Sequence, residues 1–242
     1  MRISLHLPVS LMIISSIFLF VACAALRDNW HGQRIDFQGL PANMIGESSQ
    51  IILVRNTNPA VVDVQVLALE KKNDRWQSPF APMEGVIGRN GFAPPGEKRE
   101  GDGRTPSGIF PLGTVFGYEP SFPTRMPYQQ AVDDDVWVDD VNAADYNKWV
   151  KKGSTNASSF ERMRRDDDLY KYGIVVEYNT NPVIKGSGSA IFFHLWKGPG
   201  QPTEGCLALS EENLIRVIQW LDPTERPLVI MGTKEMIDRY GR

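Results

Sequence analysis

Cysteine and histidine are the scarce residues of this chain, with two of the first and three of the second in 242 residues. Cys23 closes an apolar N-terminal segment, so the body that folds keeps Cys206 alone, and no internal disulfide accounts for it. His6 falls in the same segment and His31 in the polar stretch after it, which leaves His194 as the imidazole of the body. A structural zinc site draws on about four protein ligands and a catalytic one on about three. One His and one Cys fall short of both, so no metal is expected. Also missing are H-E-x-x-H, S-x-x-K, G-x-S-x-G and the dinucleotide glycine fingerprint, and with them the reactions they serve; no cofactor is expected. Gly91 to Lys98 fails as a phosphate loop because Glu97 stands where its Lys belongs. There is no basic surplus: the formal net charge is -3, and nucleic acid, which wants a basic face to displace counterions, is not an expected partner. No internal repeat is visible.

Long hydrophobic runs are missing too, except at the start. Val9 to Ala22 is apolar but for Ser10, Ser15 and Ser16, and about 14 residues is short of the roughly 20 that span a bilayer. With Arg2 before it and the small residues Ala22-Cys23-Ala24-Ala25 after it, residues 1–24 read as a secretory signal, which implies an exported protein of the periplasm or cell envelope. Phe20-Val21-Ala22-Cys23 is similar to the lipobox at which bacterial lipoproteins are cleaved before a lipidated cysteine. Membrane attachment through Cys23 and soluble release both remain open. Residues 25–49, polar and punctuated by Gly and Pro from Asn29 on, read as a tether, 50–232 as the catalytic domain and 233–242 as a C-terminal tail.

What is present is ordinary for one soluble core: 42% hydrophobic and 23% charged residues. Short apolar runs predict strands at Ile51–Val54, Val62–Val66, Val86–Ile87, Val136–Val138, Ile174–Val176, Ile191–Phe193 and Leu228–Ile230, with a turn at Lys72-Asn73-Asp74 and a return at Trp76. Glu97 to Leu112 reads as a long loop entering a strand. One helix is predicted after residue 210: Ser210 as N-cap, Glu211 and Glu212 at the positive end of the dipole, Leu214, Ile215, Val217, Ile218 and Leu221 at helical spacing, and Pro223 as a stop. The aspartate runs at 133–135, 139–140 and 166–168 lack the ligand spacing of a calcium loop and read as solvated loops.

The chemistry concentrates between Ser189 and Leu209, where an apolar strand ends in His194, a Gly/Pro-rich loop turns back, and Cys206 follows Gly205. A free thiol is only a few per cent ionised at neutral pH, and an imidazole that takes its proton makes it a nucleophile. Gly205 permits a tight turn and an unobstructed amide, so the amides of Gly205 and Cys206 can face a developing oxyanion. The alternatives are a buried, inert Cys206 and a core His194 bonded to backbone.

His194, a loop, then Thr203-Glu204-Gly205-Cys206-Leu207 resembles the signature of the L,D-transpeptidase, or YkuD-type, family: a His, a loop, then Ser/Thr-His-Gly-Cys and an apolar residue. Thr105-Pro106-Ser107-Gly108 is similar to a Thr-Pro-x-Gly segment found upstream in many members. The resemblance spans roughly residues 50 to 232. It implies a mainly β fold, a β-sandwich with a few helices including one after the nucleophile. It also implies acyl transfer on peptidoglycan stem peptides through a thioester on Cys206, with His194 as general base. By the same resemblance the Leu195 carbonyl orients the imidazole, and the amides of Glu204, Gly205 and Cys206 form the oxyanion hole. The chain departs from the pattern in its shorter His-to-Cys loop, in Glu204 for the second His and in Ala208 where Arg or Asn is common. The acceptor therefore stays open: an amine gives a cross-link, and water gives an L,D-carboxypeptidase or amidase on the same scaffold.

Overall fold

The computed structural model describes residues 45–56 and 58–240. The signal segment, Cys23, His31 and the tether up to residue 44 lie outside the described residues. The chain runs through β1 (Gln50–Asn56), β2 (Asp63–Lys72), β3 (Arg75–Gln77), β4 (Met83–Val86), β5 (Phe92–Ala93), β6 (Thr105–Pro106) and β7 (Gly108–Gly117). It continues with β8 (Tyr128–Gln130), β9 (Asp135–Val138), β10 (Trp149–Lys151), β11 (Phe160–Arg162), β12 (Tyr172–Val176), β13 (Phe192–Leu195) and β14 (Leu207–Leu209). Helix α1 (Glu211–Trp220), β15 (Leu228–Thr233) and helix α2 (Lys234–Tyr240) complete it. The fold is mainly β with few helices, one of them after the nucleophile candidate, as expected.

The main sheet runs β1-β15-β7-β12-β13-β14-β4-β2-β3. Because β1 pairs with β15 on one side and with β2 on the other, the path returns to its start and the sheet closes on itself. Ile51–Val54 reads as a continuous apolar run because both faces of β1 are covered, whereas Val62, Val64 and Val66 alternate with polar neighbours. In β1, Ile52 and Val54 point into the interior cluster with Val66, Ile174, Phe193, Leu207 and Val229. Ile51 and Leu53 instead join Leu67, Leu69, Ile230 and Ile237 on the outside. All four β1 residues are fully buried.

Local signals set the ends of these elements. Asn73 and Asp74 both take positive φ, which gives β2 and β3 the two-residue turn that matches strand twist. The Ser210 hydroxyl accepts from the Asn213 amide at 3.3 Å, capping α1. That helix buries Leu214, Val217 and Ile218 in the interior cluster. Its stop is a 3-10 turn at Pro223–Glu225. The segment read as a tail carries α2, too short for periodicity to reveal, whose Ile237 covers the outer face of β1.

Three strands stand apart in a small sheet ordered β10-β9-β11. It roofs part of the outer face of the main sheet, where Trp137, Met163 and Tyr170 bury Phe116, Val175, Phe192 and Cys206. The aspartate runs in this region are only partly solvated. Asp135 is buried, accepts from the Val132 amide at 2.9 Å and pairs with Lys151 at 2.8 Å, because the short β9–β10 pairing turns it inward. No described helix is long and apolar enough to cross a membrane.

Candidate active site

Strand pairing brings the Cys206 and His194 side chains to one face. β13 and β14 are parallel neighbours in the register Phe193↔Leu207 and His194↔Ala208. Side chains alternate across a strand, so Phe193, Leu195, Leu207 and Leu209 share the interior face while Phe192 and Cys206 share the outer one, and His194 lies on that outer side against the Tyr170 ring. Cys206 and His194 both line an outer-face cleft of about 290 Å³.

The loop that carries Cys206 is held by a threonine of the upstream motif. The buried Thr105 hydroxyl donates to the Cys206 carbonyl at 3.4 Å and accepts from the Gly88 amide at 2.9 Å. Thr203 Oγ1 donates to the same carbonyl at 2.6 Å. Gly205 has φ +147°, and a Cβ there would sit 3.0 Å from the Arg104 carbonyl oxygen, so the turn requires glycine. The Gly205 amide donates to Thr203 Oγ1 at 3.2 Å. Among the described residues no acceptor takes the amides of Glu204 or Cys206, which leaves those two free to meet an oxyanion.

His194 Nδ1 lies 2.8 Å from the Leu195 carbonyl oxygen. A carbonyl only accepts, so Nδ1 carries the proton and Nε2 is left as the basic nitrogen. The thiol faces elsewhere: Sγ donates to the Ala190 carbonyl at 3.2 Å and accepts from the Phe192 amide at 3.4 Å. Burial lowers the His194 pKa to about 4, against the opposing pull of its Leu195 bond. Burial likewise pushes the Cys206 thiol up to about 12, against the Phe192 amide. At rest the two groups are a neutral thiol and a neutral imidazole, not the preformed ion pair that proximity alone suggests.

A family model of the YkuD L,D-transpeptidase catalytic domain matches residues 51–233. The chain belongs to this family. Among solved structures, Bd1075 of Bdellovibrio bacteriovorus is 14% identical with a TM-score of 0.40, the match covering 80% of this chain and 53% of that one. The helical cell shape determining protein Pgp2 from Campylobacter jejuni is 18% identical with a TM-score of 0.40, covering 78% of this chain and 48% of that one. The chain thus spans about half the length of these two structures. No curated protein matches it.

Within this L,D-transpeptidase-family domain, Glu204 ion-pairs with Arg89 at the rim, its side chain 80% exposed. Its carboxylate is matched there by a cation. Sequence reasoning missed other residues that line the cleft: Lys98, Glu100, Asp139, Glu161, Arg165 and Tyr170. Lys98 is buried and paired with Asp102 at 2.6 Å. Burial raises the Glu161 and Asp139 carboxyls above the ordinary range, with Arg165 opposing the shift at Glu161. No local motif marks these residues. The nearest signal is the charge reversal Arg164-Arg165-Asp166-Asp167, in which Arg165 and Asp167 bind each other at 2.7 Å.

Proposed function

We propose that this chain is an exported cysteine acyltransferase acting on peptidoglycan stem peptides, with Cys206 as nucleophile and His194 as general base. The observation that carries the reading is an unpaired thiol and an imidazole of fixed tautomer lining one cleft of an L,D-transpeptidase-family domain. Family membership supports the substrate class. The N-terminal apolar segment supports export, with Cys23 either lipidated or removed.

With both groups neutral at rest, proton transfer accompanies attack rather than preceding it. Sγ attacks the carbonyl carbon of the donor stem's diamino-acid residue as His194 Nε2 takes the thiol proton. The oxyanion accepts from the amides of Glu204 and Cys206. Collapse breaks the C–N bond, the leaving D-alanine amine takes the proton back from Nε2, and a thioester remains on Cys206. An acceptor amine then attacks the thioester, passes its proton to Nε2 and releases the thiol. The Leu195 carbonyl favours Nε2 as the basic nitrogen through both halves.

Incubation with purified disaccharide tetrapeptide, followed by mass, tests this. A cross-linked dimer, loss of D-alanine and an acyl adduct on Cys206 are expected. Shortened peptides without dimers would assign a hydrolase on the same scaffold, and no change in substrate or enzyme mass would end the proposal. Cys206→Ala should lose adduct and turnover together while its circular dichroism stays that of the parent.

A further inference from the structure

His194 is held by more than its backbone bond. Tyr170, buried at the end of the segment that follows β11, presents its ring to the imidazole, centroids 5.2 Å apart at 63°. Phe116 and Phe192 meet the same ring edge-on at 6.0 and 5.7 Å. The Arg165 guanidinium lies over it, 5.0 Å from the centroid. Arg165 is itself fixed: Nε and Nη2 bind the two Asp167 oxygens at 2.8 and 2.7 Å, and Nη1 reaches Glu161 at 3.4 Å. Its backbone amide donates to the Tyr118 hydroxyl at 2.9 Å. The Leu169 carbonyl accepts from the Leu195 amide at 3.0 Å, which ties this segment to the residue next to His194.

One neutral hydrogen bond favours one side-chain arrangement over another by only about fivefold. The Leu195 contact alone therefore leaves a sizeable fraction of imidazole in other rotations or in the other tautomer, and a base misplaced by about 1 Å loses up to about a hundredfold in rate. A packed aromatic ring adds the steric wall that a single bond lacks. We propose that Tyr170, clamped by Arg165, is a positioning residue that fixes the His194 imidazole with Nδ1–H on Leu195 and Nε2 as base. The inference rests on His194 acting as the base of the reaction proposed above. It also gives the small sheet's polar return segment a task beyond roofing the cleft.

The test compares Tyr170→Phe, Tyr170→Leu and Arg165→Met in the full chain, with kcat and KM for acyl transfer and the imidazole nitrogen resonances by NMR. His194→Gln assigns the His194 signals by removing them, since His6 and His31 lie elsewhere in the chain. Wild type should show protonated Nδ1 and unprotonated Nε2. Tyr170→Leu should shift both resonances toward exchanging tautomers and lower kcat by about tenfold or more, with KM within about twofold. Tyr170→Phe keeps the ring and should restore both readouts. Arg165→Met should move them in the direction of Tyr170→Leu. Wild-type resonances in a folded Tyr170→Leu would overturn the proposal, as would a Tyr170→Phe variant as impaired as Tyr170→Leu. If Tyr170→Leu fails to fold, wild-type resonances in Arg165→Met overturn it instead. The resonances report on positioning even if no acyl transfer is found, so failure of the reaction and failure of the clamp are told apart.

Discussion

On the inner face of β13, Phe193 and Leu195 pack against Leu207, Leu209 and helix α1; on the outer face, Phe192 and His194 share their cover with Cys206 and Tyr170. Burial is similar on the two sides, with His194 at 7% exposure, Cys206 at 8% and Leu195 at 9%. On the inner face, exclusion of water is pure stabilisation. On the outer face the same dryness holds an acid and a base in their neutral forms, so part of what burial gains in packing is given up in proton affinity. The outer face is thus a core in geometry that carries two titratable groups.

The comparison breaks first if the outer face proves inert. His194→Gln should lower acyl transfer by about 10²-fold to 10⁴-fold with little loss of stability; a loss under about threefold would make the outer face ordinary core. On the inner face the effect should reverse in kind. Phe193→Ala should destabilise the fold by about 3–5 kcal/mol in urea unfolding, from lost transfer energy and the cavity left behind, while Cys206 in the fraction still folded keeps its reactivity.

A third measurement uses pH. The folded His194 pKa of about 4 lies below the ordinary 6.5, so between those values the unfolded chain binds a proton that the folded one refuses. The contribution is intact above pH 6.5 and is lost as pH falls toward 4, about 3 kcal/mol in all. Wild type should therefore lose more stability than His194→Gln across that window, the difference cancelling the carboxylates common to both. Parallel curves would mean the imidazole is solvated. The smallest effect belongs to Glu204, whose charge is matched by Arg89 in an exposed pair. Glu204→Gln should change the alkylation rate of Cys206 at pH 8 by less than about twofold, since even an unpaired charge at about 7 Å is worth only about 0.6 kcal/mol through water. A rise of fivefold or more would put that carboxylate in the cleft.

How much of this was legible in the sequence follows the range of the interactions. Ile51–Val54, Ile174–Val176 and Leu228–Ile230 declare themselves as strands because both faces are dry, and Ser210 marks a helix start through a bond only three residues long. Cys206 and His194 stand out because their kind is so rare here. Tyr170, Arg165, Glu161 and Asp139 do not: Glu161 sits on a three-residue strand, the others lie in the segments that follow β9 and β11, and their acidic neighbours look like solvated loop. Only the β9–β11 pairing reveals that Glu161 faces Trp137 across a ladder. The neutrality of the thiol was equally hidden. It depends on water excluded by Phe192 and Tyr170 from elsewhere in the chain, which no local pattern encodes.

The closure of the main sheet has a consequence in time. Strand β1, at residues 50–56, is completed only by β15, at residues 228–233. A chain emerging from the ribosome makes the β1–β2 hairpin early but cannot seal the ring until nearly all of it is out. Pairings of such long range fold slowly. The cover over Cys206 does not wait for that closure: Phe116, Trp137, Met163, Tyr170 and Phe192 all precede β15 in the chain.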